Sequence, residues 1–241
     1  MIQQALILAA GRGGRLVPDG LGPPKPLVEL AGRPILSHVL ARLETAGLRE
    51  ATVVLGYRAE EIENYYRQAA PERLQVRWLA GASPDRSNGM SVLHARPSLR
   101  QPFLLLMGDH LVEAPVLRRL AGVALGADAC VLGVDRKLER VFDREEATKV
   151  KLEAERIVAI GKELAEYDAI DTGVFACSPA LFEALEASIR NNDCSLSDGI
   201  RELARRGLLR ALDIGDAEWI DVDTPEALHQ AEKLLRAGKL S

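Results

Sequence analysis

The chain has no cysteine framework. Cys130, Cys177 and Cys194 are odd in number, far apart and without a C-x-x-C pair. A disulfide scaffold and a cysteine-ligated zinc site are thereby disfavoured, and a reducing compartment fits best. An excess of basic charge is also missing: the formal net charge is −4 and the pI near 5.7. That balance argues against a general surface for nucleic acid or acidic membrane, so any phosphate must be held by local basic residues. No apolar run approaches the roughly 20 residues that span a bilayer. The first apolar run is broken by Gly11 and Arg12 and follows no basic segment, unlike a secretory leader. A soluble, cytoplasmic protein with no membrane span is expected. Repeats, low-complexity runs and flexible linkers are absent too. With 241 residues, 47% hydrophobic and 27% charged, the chain reads as one globular domain over 1–241 with ample core.

Two familiar phosphate-binding patterns are missing from the one stretch that invites them. After the apolar run Leu6 to Ala10 come Gly11, Gly13 and Gly14, with Arg12 and Arg15 beside them and Lys25 beyond a proline-broken loop. G-x-G-x-x-G fails because position 16 is Leu, and the Walker pattern fails for want of G-K-[ST]. What is present is a buried strand, a glycine loop, an arginine and a lysine. Glycines let backbone N–H groups approach a polyphosphate, and Arg15 and Lys25 add fixed positive charge.

The rest alternates strand and helix. Ile35, Leu36, Val39, Leu40, Leu43 and Ala46 have helical spacing, with Pro34 suited to the first helical position and Gly47 to the C-terminal end. Ala51 to Leu55 is a strand ending at Gly56. Ile62, Tyr65 and Tyr66 share a helix face, and Leu74 to Leu79 is another strand. Ser87-Asn88-Gly89-Met90-Ser91 reads as a loop entering a helix, with Ser87 or Asn88 as cap. Phe103 to Met107 is the most apolar strand, and it ends in Gly108-Asp109-His110. A carboxylate at the carboxyl end of a central parallel strand lies where such sheets bind ligands, although capping of a turn is the simpler role. His110 is given only a local hydrogen bond.

Ala129 to Val134 is a further strand. Lys149 to Leu152 and Arg156 to Ile160 then pair as a hairpin, within an antiparallel insertion at about 135–170. Ser178-Pro179 and Ser197-Asp198 open helices, the serines and Asp198 serving as caps. Leu209 to Ile214 is a strand, and Thr224 with Pro225 opens the last helix. Asp221 and Asp223 face one side if extended. The fold class is therefore α/β: a Rossmann-like, mostly parallel central sheet with helices on both faces and an antiparallel β insertion.

The motif LAAG-x-G-x-R-L followed by K-P-L resembles the signature of nucleotidyltransferases that join an NTP to a phosphorylated small molecule. With MGDH, ATKV, IGK, DTGVF and DVDTPEAL, the chain is most similar, over nearly its whole length, to CTP:inositol-1-phosphate cytidylyltransferases. The loop VPDGLGPP departs from the usual threonine-containing versions. The resemblance implies cytidylyl transfer from CTP to inositol 1-phosphate with Mg²⁺, giving CDP-inositol and pyrophosphate. Another sugar 1-phosphate or phospho-alcohol, such as phosphocholine or a phosphonate, is the alternative acceptor, and a non-catalytic nucleotide sensor is the alternative from another class.

By the same resemblance, Arg15, Lys25 and Asp109 are catalytic. Leu8, Ala9, Ala10, Gly11, Gly13, Gly14, Arg15, Lys25, Gly56, Ser87, Asn88, Gly89 and Ser91 bind the nucleotide. Lys149, Lys162, Asp171, Thr172 and Gly173 serve the acceptor, and Asp109 with Asp221 or Asp223 holds Mg²⁺. Implied partners are CTP, a phosphorylated polyol or alcohol and a separate membrane CDP-alcohol phosphotransferase, with no nucleic acid. A homodimer is compatible with the sequence, which says nothing of oligomeric state.

Overall fold

Period-2 alternation in the first apolar run divides the core. In the computed structural model, which describes residues 1–18, 21–126 and 130–240, strand β1 (Gln4–Ala9) turns Ala5, Ile7 and Ala9 to one face. Leu6 and Leu8 turn to the other, followed beyond the strand end by Ala10. A strand buried on both faces needs helices on both. The chain supplies them in order: a short ribbon of β2 (Glu29–Leu30) and β3 (Arg33–Pro34), α1 (Ile35–Ala46), β4 (Glu50–Leu55), α2 (Ala59–Tyr66), β5 (Gln75–Leu79) and α3 (Asn88–Ala95). Then follow β6 (Phe103–Met107), β7 (His110–Val112), α4 (Ala114–Ala121), β8 (Cys130–Asp135), β9 (Lys149–Glu153), β10 (Arg156–Gly161) and β11 (Ala169–Cys177). The chain continues through α5 (Ala180–Ser188), α6 (Leu196–Arg205), β12 (Leu209–Asp213), β13 (Trp219–Asp221) and α7 (Pro225–Arg236). Helices α1, α4 and α7 bury side chains on the Ile7 face, and α3, α5 and α6 on the Leu6 face.

Among the described residues the main sheet has nine strands, ordered β5-β4-β1-β6-β11-β8-β12-β10-β9. Strands β5, β4, β1 and β6 run parallel, and β11 then pairs antiparallel with both β6 and β8. The expected hairpin forms as β9 and β10, turning at Ala154 (φ +55°). It joins the sheet at both ends: β10 pairs with β12, and β9 pairs back onto β11. Strands β11, β8, β12, β10 and β9 are thus closed into a ring by hydrogen bonds. Of the expected strand Ala129 to Val134, Ala129 lies outside the described residues.

Several local expectations are corrected. Pro34 is the cap of α1 rather than its first helical residue. Tyr65 is 42% exposed while Ile62 and Tyr66, an i,i+4 pair, are the buried residues of α2. Ser87 stands at the cap position of α3, but its hydroxyl donates to Asp193 (2.7 Å) instead of capping. Asn88 accepts from the Leu196 amide (2.8 Å). The cap of α6 is Ser195, in a reciprocal box with Asp198, and not Ser197. Thr224 caps α7 as expected, with Pro225 at its first position.

Two pairings position the site. Parallel β1 and β6 end side by side, Leu8 opposite Met107, so the glycine loop and Gly108-Asp109-His110 leave the sheet together. Antiparallel β7 and β13 set Asp221 opposite His110, and the Val222 amide donates to the Asp109 carbonyl (3.1 Å). Residues over a hundred positions apart meet at one sheet edge.

Candidate active site

The glycine loop folds down onto Lys25. Gly13 has φ +69°, and a Cβ there would stand 2.5 Å from the Lys25 Cβ, so a side chain is excluded on two counts. Beneath the loop lies a cavity of about 290 Å³ lined by Leu8, Ala9, Gly11, Gly13, Gly14, Arg15, Lys25, Asp109 and Asp223, among others. It shares Leu8, Gly11, Arg15, Asp109 and Asp223 with a larger cavity of about 430 Å³. The larger one also reaches Ala10, Asn88, Ser91, Lys162, Asp171, Gly173 and Asp221.

Charge is concentrated at the junction. The Lys25 ammonium, its side chain only 8% exposed, donates to both Asp109 and Asp223, and Arg15 donates to the other Asp223 oxygen. Burial alone would lower the pKa of Lys25, but Asp109, Asp223 and Asp221 outweigh it and raise it. Burial likewise opposes ionisation of Asp223, yet Lys25 and Arg15 hold its pKa below the usual carboxylate range.

His110 occupies the floor. Its Nδ1 donates to the Thr172 carbonyl (2.9 Å), and its Nε2 lies 3.4 Å from Asp221 Oδ2 and 3.8 Å from Asp109 Oδ1. Burial would lower its pKa, but Asp221 and then Asp109, with the Thr172 carbonyl, raise it to about 10. Gly173 (φ +74°) makes this seat possible, since a Cβ there would fall 2.1 Å from His110 Nδ1. Beside it, Asp171 accepts from the Gly173 amide (2.7 Å), and burial pushes its carboxyl up to about 6. Asp109, His110 and Asp221 offer ligand atoms within 4.8 Å of one another, a set able to hold a cation.

Five expected site residues line neither cavity among the described residues. Gly56 is pressed between the carbonyls of Ala82 and Ala10, and Gly89 against the backbone of Cys194 and Ser195. Ser87 is turned to Asp193. The Thr172 hydroxyl donates to the Gly133 carbonyl (2.8 Å), leaving its own carbonyl for His110. Lys149 donates to the carbonyls of Lys162 (2.6 Å) and Glu145 (3.3 Å) and sits over the Tyr167 ring. Lys162 does reach the larger cavity, near Glu146 (3.4 Å). Sequence reasoning passed over His110, Phe142, Glu146 and Trp219, which also line it. For His110 one local signal existed, its place directly after the strand-end aspartate.

The sequence matches the MobA-like NTP transferase domain over residues 5–209. The chain belongs to that family. Within it, the chain is 37% identical over 233 residues (96% of its length) to a bifunctional IPC transferase and DIPP synthase of Rubrobacter xylanophilus, and covers 51% of that protein. A protein of the same description from Aquifex aeolicus is 31% identical over 98% of the chain, with 52% of the relative covered. The chain thus spans about half the length of these curated relatives. Among solved structures, the inositol-1-phosphate CTP transferase from T. maritima superposes with a TM-score of 0.85 at 23% identity, covering 98% of this chain and 97% of that one. In this chain the glycine loop and Asp109 follow the carboxyl ends of β1 and β6, which lie side by side in the sheet.

Proposed function

We propose that this chain transfers a cytidylyl group from CTP to inositol 1-phosphate, releasing pyrophosphate and forming CDP-inositol. The observation that carries the reading is the junction itself: the glycine-loop cavity, with Lys25 in its wall, shares Arg15, Asp109 and Asp223 with a larger cavity beside it. The names of the relatives and of the structural neighbour support the choice of acceptor and nucleotide.

The chemistry follows from charge. An acceptor phosphate oxygen attacks the α-phosphorus, and the bond to pyrophosphate breaks. The nucleophile is already anionic, so no general base is required. The obstacle is bringing anions together and stabilising charge on the leaving group. The glycine-loop amides and the cations of Arg15 and Lys25 would receive the triphosphate, exchanging their carboxylate partners for phosphate oxygens. Lys162 would meet the acceptor's phosphate, and Asp171 would accept from its hydroxyls. The oxygen donors of Asp109, Asp221 and Asp223 fit a divalent cation, Mg²⁺ in this reading, which when bound would neutralise phosphate charge. A CDP-alcohol phosphotransferase in a membrane would be the functional neighbour that consumes the product.

A panel of four NTPs against inositol 1-phosphate, glucose 1-phosphate, phosphocholine and an aminoalkylphosphonate, scored for pyrophosphate release, tests the proposal. CTP with inositol 1-phosphate should lead by at least about tenfold in kcat/KM. A lead by another pair would replace the substrates, and no release with any pair would contradict the transferase reading.

A further inference from the structure

We propose that Phe142 and Glu146 determine which acceptor is taken, and that the segment carrying them, 138–147, folds over the acceptor as a lid. The inference rests on the transferase reading for where the acceptor lies, but closure of the segment is measurable without turnover.

Little holds this segment in place. It joins two buried residues, Asp135 at the end of β8 and Val150 in β9, yet no residue from 136 to 149 is buried. Leu138, Val141 and Phe142 belong to neither core. Both ends are pinned. The Lys137 ammonium meets Asp135 (2.9 Å) and the Ala217 carbonyl (3.2 Å), and the Asp171 amide donates to the Thr148 carbonyl (2.9 Å). Between the pins, two polar contacts among the described residues reach the β9–β10 hairpin. Lys149 donates to the Glu145 carbonyl (3.3 Å), and Lys162 to the Glu146 carboxylate (3.4 Å). The Arg144–Glu139 pair (3.1 Å) is internal to the segment. With pinned ends and no buried residue, such a segment opens locally at small cost and leaves the sheet intact.

Its position gives the motion a use. Phe142, Asp143, Glu146, Ala147 and Thr148 line the larger cavity, which Lys162 and Asp171 also reach. Phe142 is 42% exposed. The other large apolar side chains left so exposed among the described residues, Met1, Leu21, Tyr65 and Val158, lie outside this cavity. A phenyl ring held in water beside a ligand cavity is stabilised by whatever covers it.

The acceptor assigned above, a polyhydroxylated ring with one phosphate, matches this arrangement. Its phosphate would take Lys162 from Glu146, an exposed pair of the kind that is weak in solvent. The freed carboxylate then faces ring hydroxyls able to donate to it, and Phe142 covers the C–H face of the ring. A phosphate without ring or hydroxyls would release Glu146 and gain neither contact. Selection thus follows from closure: only an acceptor that engages both residues holds the lid down.

Limited trypsin digestion of the full chain, read by mass spectrometry at the Arg140–Val141 and Arg144–Glu145 bonds relative to cleavage elsewhere, tests this. The nucleotide is a CTP analogue with a methylene bridge between its α and β phosphorus atoms, which cannot release pyrophosphate. Inositol 1-phosphate with the analogue should slow cleavage at least about tenfold, because cleavage tracks the open population. The analogue alone, or with inorganic phosphate, should slow it less than about twofold. Glu146→Gln should speed cleavage of the ligand-free protein about two- to fivefold, the loss of one exposed ion pair. In turnover with the leading acceptor, Phe142→Ala should lower kcat/KM for that acceptor at least about tenfold, with KM for CTP and Tm unchanged. Phe142→Tyr keeps the ring face and should stay within about threefold of wild type. Equal protection by the analogue alone or with inorganic phosphate would overturn the proposal. So would no protection by inositol 1-phosphate, or acceptor kinetics in Phe142→Ala equal to wild type. Protection without pyrophosphate release from any substrate pair would contradict the transferase reading and support the lid, so the two fail separately.

Discussion

Asp171 should make the protein less stable above about pH 6 than below pH 4. Its carboxyl is pushed from 3.8 up to about 6 by burial, only partly offset by the Gly173 amide and by His110. The folded protein thus holds this proton more tightly than the unfolded chain. Raising the pH from about 4 to about 6 removes stability, and above that range the loss is complete. A difference of about two units corresponds to roughly 3 kcal/mol. Asp171→Asn keeps an oxygen to accept from the Gly173 amide but cannot ionise. The variant should match wild type near pH 3.5, gain stability progressively through pH 4–6, and level off at up to about 3 kcal/mol. For a chain of this length that is roughly 6–12 °C in Tm. Thermal and urea unfolding with a chelator present, stepped from pH 3.5 to 8, would show it. A gain of equal size at every pH, or none at pH 8, would refute burial of the charge as the cause. The same variant should lose acceptor use, because a neutral amide replaces the carboxylate facing the hydroxyls.

Lys25→Ala should lower turnover by orders of magnitude, since its charge is worth most as the leaving group develops; near-normal kcat with only a raised KM would exclude that role. Asp109→Asn keeps the side-chain shape while removing a cation ligand and one partner of Lys25; activity should be largely lost with the circular dichroism spectrum unchanged, and activity equal to wild type across a divalent-metal titration would make Asp109 a turn residue. Lys162→Ala should cost one to two decades in kcat/KM for the acceptor with CTP affinity intact, at about 1.5–3 kcal/mol for one charge-assisted contact. Lys149→Ala, whose ammonium is tied to two backbone carbonyls outside the cavity, should cost the acceptor much less; a larger loss than in Lys162→Ala would restore Lys149 as the acceptor's contact.

What was legible in the sequence was local. Leu6 to Ala10 followed by glycines, and Phe103 to Met107 followed by Gly108-Asp109, are strand ends with ligand chemistry attached, and parallel pairing brings such ends to one edge. Thr224-Pro225 announced its helix by capping alone. What stayed hidden depends on contacts far apart in the chain. Nothing near Asp223 shows that it will meet Lys25, 198 residues away, because β13 must first pair with β7. His110 reads as a turn residue until the Thr172 carbonyl and the space at Gly173 are seen against it. The resemblance favoured Lys149 over Lys162 for the acceptor, but Lys149 donates to backbone carbonyls while Lys162, just beyond β10, lines the cavity. At α6 the sequence reading put the cap at Ser197, two residues late, because the reciprocal bond between Ser195 and Asp198 that marks the start was passed over.

The central claim is that an acceptor phosphate oxygen attacks the α-phosphorus of CTP at the junction of the two cavities. The most direct measurement uses inositol 1-phosphate carrying ¹⁸O in its non-bridging phosphate oxygens, with products read by ³¹P NMR and mass spectrometry. The account predicts CDP-inositol with ¹⁸O in the bridge between its two phosphorus atoms, and pyrophosphate free of label. Absence of CDP-inositol, release of inorganic phosphate carrying the label, or an unlabelled bridge would contradict it.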